Sequence, residues 1–211
     1  MNSLVFFFLF SLFISLAYCD IEFDFCVGDI SRQTSPVGYA CKNRATVTID
    51  DFIFTGFRVQ KTTTNIYKAN ATLAFTNTFP GLNGLGIATS KIDLGVGGVI
   101  PAHTHRTSEF IIVVKGSIIA GFVDTNNTAY FKRLEVGDVM VFPPTLVHFQ
   151  VNAGKTSATA YSGYNGANPG IQLITNSLLA GNLPTDLITQ ITLVNPLEIA
   201  RLKSLFGITN A

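Results

Sequence analysis

The chain has 211 residues, of which 47% are hydrophobic and only 13% charged, and its formal net charge is +1. That length and apolar content are enough for a single domain with a sizeable core. The near-neutral balance gives no electrostatic basis for binding nucleic acid or an acidic membrane surface, and with no long charge run or low-complexity tract the chain does not read as disordered.

The first predicted element is a secretory signal over residues 1–19. Leu4 to Leu16 is an apolar run, and Ala17-Tyr18-Cys19 places small residues at the minus-three and minus-one positions before Asp20. A membrane anchor is the rival reading, but the run falls short of the roughly 20 apolar residues a spanning helix needs. No later stretch qualifies, and the C-terminus carries no lipid-anchor signal. The expectation is a soluble, secreted domain over residues 20–211, with no membrane partner.

Secretion changes the meaning of the cysteines. If Cys19 leaves with the signal, Cys26 and Cys41 remain as an even pair in an oxidising compartment. The stretch between them holds Gly28, Ser35-Pro36 and Gly38, turn residues that let a loop close. Closing it would stabilise the fold by about 3 kcal/mol on a chain-entropy argument. The alternative is a catalytic or metal-binding thiol, although neither cysteine is near the histidines in sequence. Two N-glycosylation sequons follow, at Asn70-Ala71-Thr72 and Asn126-Asn127-Thr128, the second inside a turn signal.

From Ala45 onward the pattern is of short β segments. Candidate strands are Thr46–Ile49, Ala71–Phe75, Gly86–Asp93, Phe110–Lys115, Ser117–Val123, Ala129–Leu134, Val139–Phe142, His148–Val151 and Thr156–Ser162. Gly, Pro, Asn and Asp punctuate them, which indicates a sandwich or barrel.

The most informative stretch is 97–152. All three histidines of the chain fall in it, His103, His105 and His148, with Glu109 at the start of a β-branched run. Neutral imidazole and carboxylate are ligands that manganese, iron and zinc accept. A strand beginning at His103 would put His103 and His105 on one face, and Glu109 has the right parity to join them unless Arg106-Thr107-Ser108 breaks the strand. An isolated histidine is more often a surface or core residue than a ligand; four potential ligands among paired glycines and prolines point to a metal site. Gly97-Gly98, Gly116 and Gly137 are not a phosphate loop, because no Lys-Ser/Thr follows and no helix opens; they read as turns requiring positive φ.

These segments resemble the two cupin motifs and, more narrowly, the boxes of plant germins and germin-like proteins. Gly97, His103, His105, Glu109 and Gly116 match G-x5-H-x-H-x3-E-x6-G over 97–116. Gly137, Pro143, His148 and Asn152 match G-x5-P-x4-H-x3-N over 137–152. The similarity runs from Asp24 through Phe79-Pro80-Gly81 and is closest to the auxin-binding subgroup, through 47–52 and 97–101. It implies a mainly β fold, a single cupin jelly-roll barrel with short C-terminal helices, and a Cys26–Cys41 disulfide. It also implies manganese held by His103, His105, Glu109 and His148. Asn152 is either a partner behind those ligands or the cap of the Asn152-Ala153-Gly154 turn.

The resemblance further implies an apoplastic, cell-wall protein, with superoxide dismutation to hydrogen peroxide as the activity. Three imidazoles and one carboxylate leave positions open on a six-coordinate ion for a small-molecule substrate. Oxalate oxidation is not expected. Germins with that activity place asparagines where Ser90 and Ile100 stand, and Ile100 offers no hydrogen bond. A carboxylate-binding protein, with an auxin as ligand, and a wall-associated structural protein are the alternatives. One departure is the link between His105 and Glu109, three residues (Arg106-Thr107-Ser108) where germins commonly have four beginning with proline.

The last fifth of the chain, about 176–207, changes to helical signals. Asn195 reads as an N-cap before Pro196, with Glu198 placed to reach back to it; Leu202, Leu205 and Phe206 line one side, and Gly207 ends the helix. Leu187, Ile188 and Ile191 mark another short helix after Pro184. In germins these helices mediate assembly, so the resemblance implies a homo-hexamer built as a trimer of dimers.

Overall fold

The computed structural model describes residues 24–207, so the signal assigned to 1–19 lies outside the described residues. Ten strands form two five-stranded antiparallel sheets. One has the order β1-β2-β9-β4-β7, comprising β1 (Ala69–Ala74), β2 (Ala88–Leu94), β9 (Ala158–Tyr164), β4 (Glu109–Lys115) and β7 (Val139–Phe142). The other runs β10-β3-β8-β5-β6, with β10 (Gln172–Leu173), β3 (Val99–Thr104), β8 (Val147–Val151), β5 (Ile118–Val123) and β6 (Ala129–Leu134). This is the jelly-roll arrangement expected, and no described helix is long and apolar enough to cross a membrane.

Strand alternation builds the interior. Along β4, Glu109, Ile111 and Val113 are buried while Phe110 is exposed. On β8, His148 and Gln150 turn inward, and on β9 Ala158, Ala160, Ser162 and Tyr164 do so. Ile92, Leu94, Ile111, Val113, Ile118, Ala120, Leu134, Phe142, Ala158 and Ala160 form one contiguous apolar core. Gly116, in the turn between β4 and β5, has φ of 72°, and a Cβ there would meet the Ala158 backbone at 3.0 Å. A side chain is excluded twice over at that turn.

Some expectations fail, each for a local reason. Thr46–Ile49 is not a strand. Residues Arg44–Thr46 and Ile49–Phe52 are 3-10 turns, the first capped by the Asn43 side chain and the second by a Thr48/Asp51 capping box. Those side-chain bonds outweigh the β-branched composition. The strand that carries His103, β3, runs from Val99 to Thr104 with a bulge between Ile100 and His103. Glu198, finally, does not reach back to Asn195. It pairs with Arg201 at 2.7 Å, while Asn195 caps the helix by accepting from Leu197 N–H at 2.9 Å.

The flanks close the barrel. Cys26 and Cys41 are joined by a disulfide. The segment that follows packs Phe54 against Phe57 and lays Phe57 on the sheet, where it meets Tyr161 at 5.5 Å between ring centroids. After β10 come α1 (Ile174–Leu179), α2 (Thr185–Thr192) and α3 (Pro196–Ser204). Leu179, Ile188 and Ile199 form their own small core, joined by Leu202 and Phe206. Leu205 stays outside it and is exposed, unlike the side assigned to it from the sequence.

Candidate metal centre

His103 lies on β3, His105 just past its end, Glu109 at the first position of β4 and His148 on β8. All four are buried, and one ligand atom from each lies within 4.8 Å of the other three. The parity of Glu109 survives the break at 106–108 because β4 starts anew at Glu109 and points it inward.

Each imidazole is oriented from behind. The Nδ1–H of His103 donates to the Pro101 carbonyl at 2.8 Å, that of His148 to the Leu146 carbonyl at 2.9 Å, and that of His105 to the Gly170 carbonyl. A carbonyl only accepts, so Nδ1 carries the proton in all three rings and, in the neutral form, Nε2 presents a bare lone pair. Those lone pairs face an acceptor. Glu109 Oε2 lies 3.0 Å from Nε2 of His148 and 3.1 Å from Nε2 of His105, and His105 Nε2 has no hydrogen-bond partner.

Lone pairs facing a carboxylate repel unless a cation lies between them. Burial pushes the Glu109 carboxyl up, but when His105 or His148 carries a second proton its Nε2–H outweighs that and holds the carboxyl at about 2, so it is ionised. Burial, reinforced by neighbouring His148, pushes His103 down to about 4, so it is neutral. One shared proton satisfies one nitrogen–oxygen pair; a single divalent ion satisfies all four atoms. Ligand bonds of roughly 2.0–2.2 Å put ligand atoms about 3–4.4 Å apart, which this cluster accommodates. The four residues fit a metal ion, with a nitrogen-rich, partly anionic donor set suited to manganese, iron or zinc.

The surroundings add groups that sequence reasoning missed. Tyr164 pairs with Glu109 across the β4–β9 ladder and packs its ring on His105 with centroids 5.1 Å apart. Its hydroxyl shares a hydrogen bond of 3.0 Å with Ser90 Oγ, and burial together with the Glu109 charge raises its pKa, keeping it neutral. Gln150 is fully buried with neither amide atom partnered, and Ser162 Oγ is likewise unpartnered. Parity could have found Gln150, two residues after His148; Tyr164 is 55 positions from its strand partner Glu109, beyond any local pattern.

The remaining site residues separate from the ligands. The Asn152 amide N–H groups donate to the carbonyls of Gly95 and Thr156 at 2.8 Å each, and its oxygen accepts from Gly154 N–H at 2.9 Å. It ties turns together and bonds to no ligand side chain, which is the capping role rather than that of a partner behind the metal. Asn126 lies in the exposed turn between β5 and β6, and Asn70 is half-buried on edge strand β1. Cys26 and Cys41 are consumed by their disulfide, so neither offers a thiol.

A model of the cupin family matches residues 55–199. A germin-like protein of Morus alba is 48% identical over 202 residues, 95% of this chain and 96% of that relative. The protein named Auxin-binding protein ABP19a of Prunus persica is 48% identical over 205 residues, 97% of this chain and 98% of that one. An oxalate oxidase solved with the substrate analogue glycolate superposes with a TM-score of 0.85 at 30% identity, covering 89% of this chain and 97% of the other. The chain belongs to the germin-like proteins of the cupin family.

Proposed function

We propose that this chain is a secreted, manganese-binding germin-like protein of the plant apoplast, and that its site dismutates superoxide to dioxygen and hydrogen peroxide. The observation that carries the reading is the convergence of three Nδ1-anchored imidazoles on the ionised Glu109. Manganese, when bound, supplies a one-electron couple that superoxide can both reduce and oxidise. The chain's part is to hold the ion and leave room beside it. His103, His105 and His148 present Nε2, Glu109 brings the negative charge, and burial keeps bulk water from competing. The Cys26–Cys41 disulfide supports an oxidising compartment.

Oxalate remains a poor substrate in this reading. Ser90 Oγ is already bonded to Tyr164, and Ile100 packs against the apolar core. Purified manganese-loaded protein should release no peroxide from oxalate; robust turnover would overturn that expectation. The decisive assay is superoxide dismutation with metal content measured on the same secreted sample. Activity proportional to manganese and lost in His103→Ala supports the enzyme reading, and full manganese occupancy without activity sinks it.

A second reading is that the same site binds a small carboxylate without chemistry, supported by the 48% identity to a protein named Auxin-binding protein ABP19a. Equilibrium binding of labelled indole-acetate to loaded and metal-stripped protein separates the two; equal or absent binding in both forms removes it. Assembly into a hexamer is a further part of the proposal, supported by exposed Leu187, Ile191, Leu193, Leu197 and Leu205 on and beside the C-terminal helices. Sedimentation of the secreted protein as a monomer would contradict it. Glycans at Asn70 and Asn126 belong to the same reading, and an unchanged mass after glycosidase treatment would exclude them.

A further inference from the structure

The link between His105 and Glu109 is clasped at every position by residues 165–170. Arg106 N–H donates to the Pro169 carbonyl at 3.0 Å, and its Nη2 donates to the Asn168 carbonyl at 3.0 Å. Ser108 N–H donates to Asn165 Oδ1 at 2.9 Å, and the Thr107 methyl fills the space a side chain at Gly166 would need. The guanidinium lies flat against Gly170, where an added Cβ would come within 2.8–3.1 Å of Nη1, Cζ and Nη2. Gly170 also has φ of 67°, so both its backbone and its contact demand glycine.

Gly170 is the residue whose carbonyl receives His105 Nδ1–H. His103 and His148 each bond to a carbonyl two residues before them in their own segment, whereas His105 depends on a carbonyl 65 residues away. Its orientation is only as fixed as that distant turn. Arg106 has no carboxylate within ion-pair distance among the described residues, so its polar contacts go to this turn.

We propose that Arg106 is a positioning residue for the metal centre: by bonding Asn168 and covering Gly170, it fixes the carbonyl that sets the tautomer and orientation of His105. The effect on metal affinity rests on the manganese reading above; the effect on His105 does not. Outer hydrogen-bond partners of ligating histidines typically change metal affinity by about 10–100-fold. Because Arg106 is solvent-exposed, its replacement leaves the apolar core intact.

The test uses the full secreted chain labelled with nitrogen-15 at histidine. In metal-free wild type, the imidazole spectrum should show His105 as a single Nδ1–H tautomer. In Arg106→Ala its shifts should move toward the average of two tautomers, while His103 and His148 stay unchanged and report an intact fold. Manganese titration of the same variant should give binding weaker by about tenfold, with an altered electron paramagnetic resonance spectrum. Arg106→Lys keeps the charge but lacks the planar fork, and should restore little of the affinity. An unmoved His105 signal in Arg106→Ala overturns the proposal, as does full recovery by lysine, which would mean that charge alone matters. If wild type binds no manganese, the metal reading fails, and the tautomer measurement, which needs no metal, still decides whether Arg106 holds His105.

Discussion

The two ends of the barrel interior are built from the same strands and behave oppositely. Strand β4 turns Val113, Ile111 and Glu109 inward in succession, and β9 sets Ala160 opposite Val113, Ser162 opposite Ile111 and Tyr164 opposite Glu109. At the apolar end the side chains satisfy one another by contact. At the polar end they do not: Glu109 faces imidazole lone pairs, and His105 Nε2 lacks a partner. Buried polar groups without partners cost stability, so a cation held among these four side chains would stabilise that end.

The largest effect should come from removing the charge at the polar end. Glu109→Gln should weaken manganese binding by more than about 100-fold, since partners one layer further out already cost 10–100-fold. Calorimetric titration checks this, and near-normal affinity would remove Glu109 from the ligand set. Striking the apolar end should do the reverse. Ile111→Ala should lower stability by about 2–5 kcal/mol in denaturant titration, while the folded fraction still binds manganese with little change.

A third effect distinguishes the ends by pH. In the metal-free protein His103 is held down to about 4, below its unfolded value near 6.5, so the unfolded chain takes up more protons across that window. Stability is therefore full above about 6.5 and falls as pH drops toward 4, with Glu109 adding a further loss between about 4.5 and 2. Thermal melts of wild type and His103→Phe across this range would show it. A flat wild-type profile between pH 7 and 4 would contradict the neutral buried imidazole. The smallest effect should be Tyr164→Phe, which keeps the ring against His105 and removes only the bond to Ser90. A loss of about 1 kcal/mol in melting stability is expected.

How much of this was legible in the sequence depended on how local each cause was. Ala129–Leu134 and Val139–Phe142 were placed to the residue, because turn residues bracket each run. The four candidate ligands were legible because spacing and residue type coincide, and the structure brings all four together. Thr46–Ile49 has a strand's composition but not its structure, because capping by Asn43, Thr48 and Asp51 depends on side-chain geometry rather than composition. Tyr164 and Gly170 leave no local signal in the sequence, because each reaches the site through strand or loop pairing more than fifty residues distant. The 165–170 turn that clasps the shortened 106–108 link is not visible from the link alone.

The most direct test of the metal centre is diffraction from crystals of the secreted protein, recorded on both sides of the manganese absorption edge. The expected result is one anomalous peak bonded by Nε2 of His103, His105 and His148 and an oxygen of Glu109. A peak bound by other residues, or ordered density among these four side chains with no anomalous signal, would contradict it.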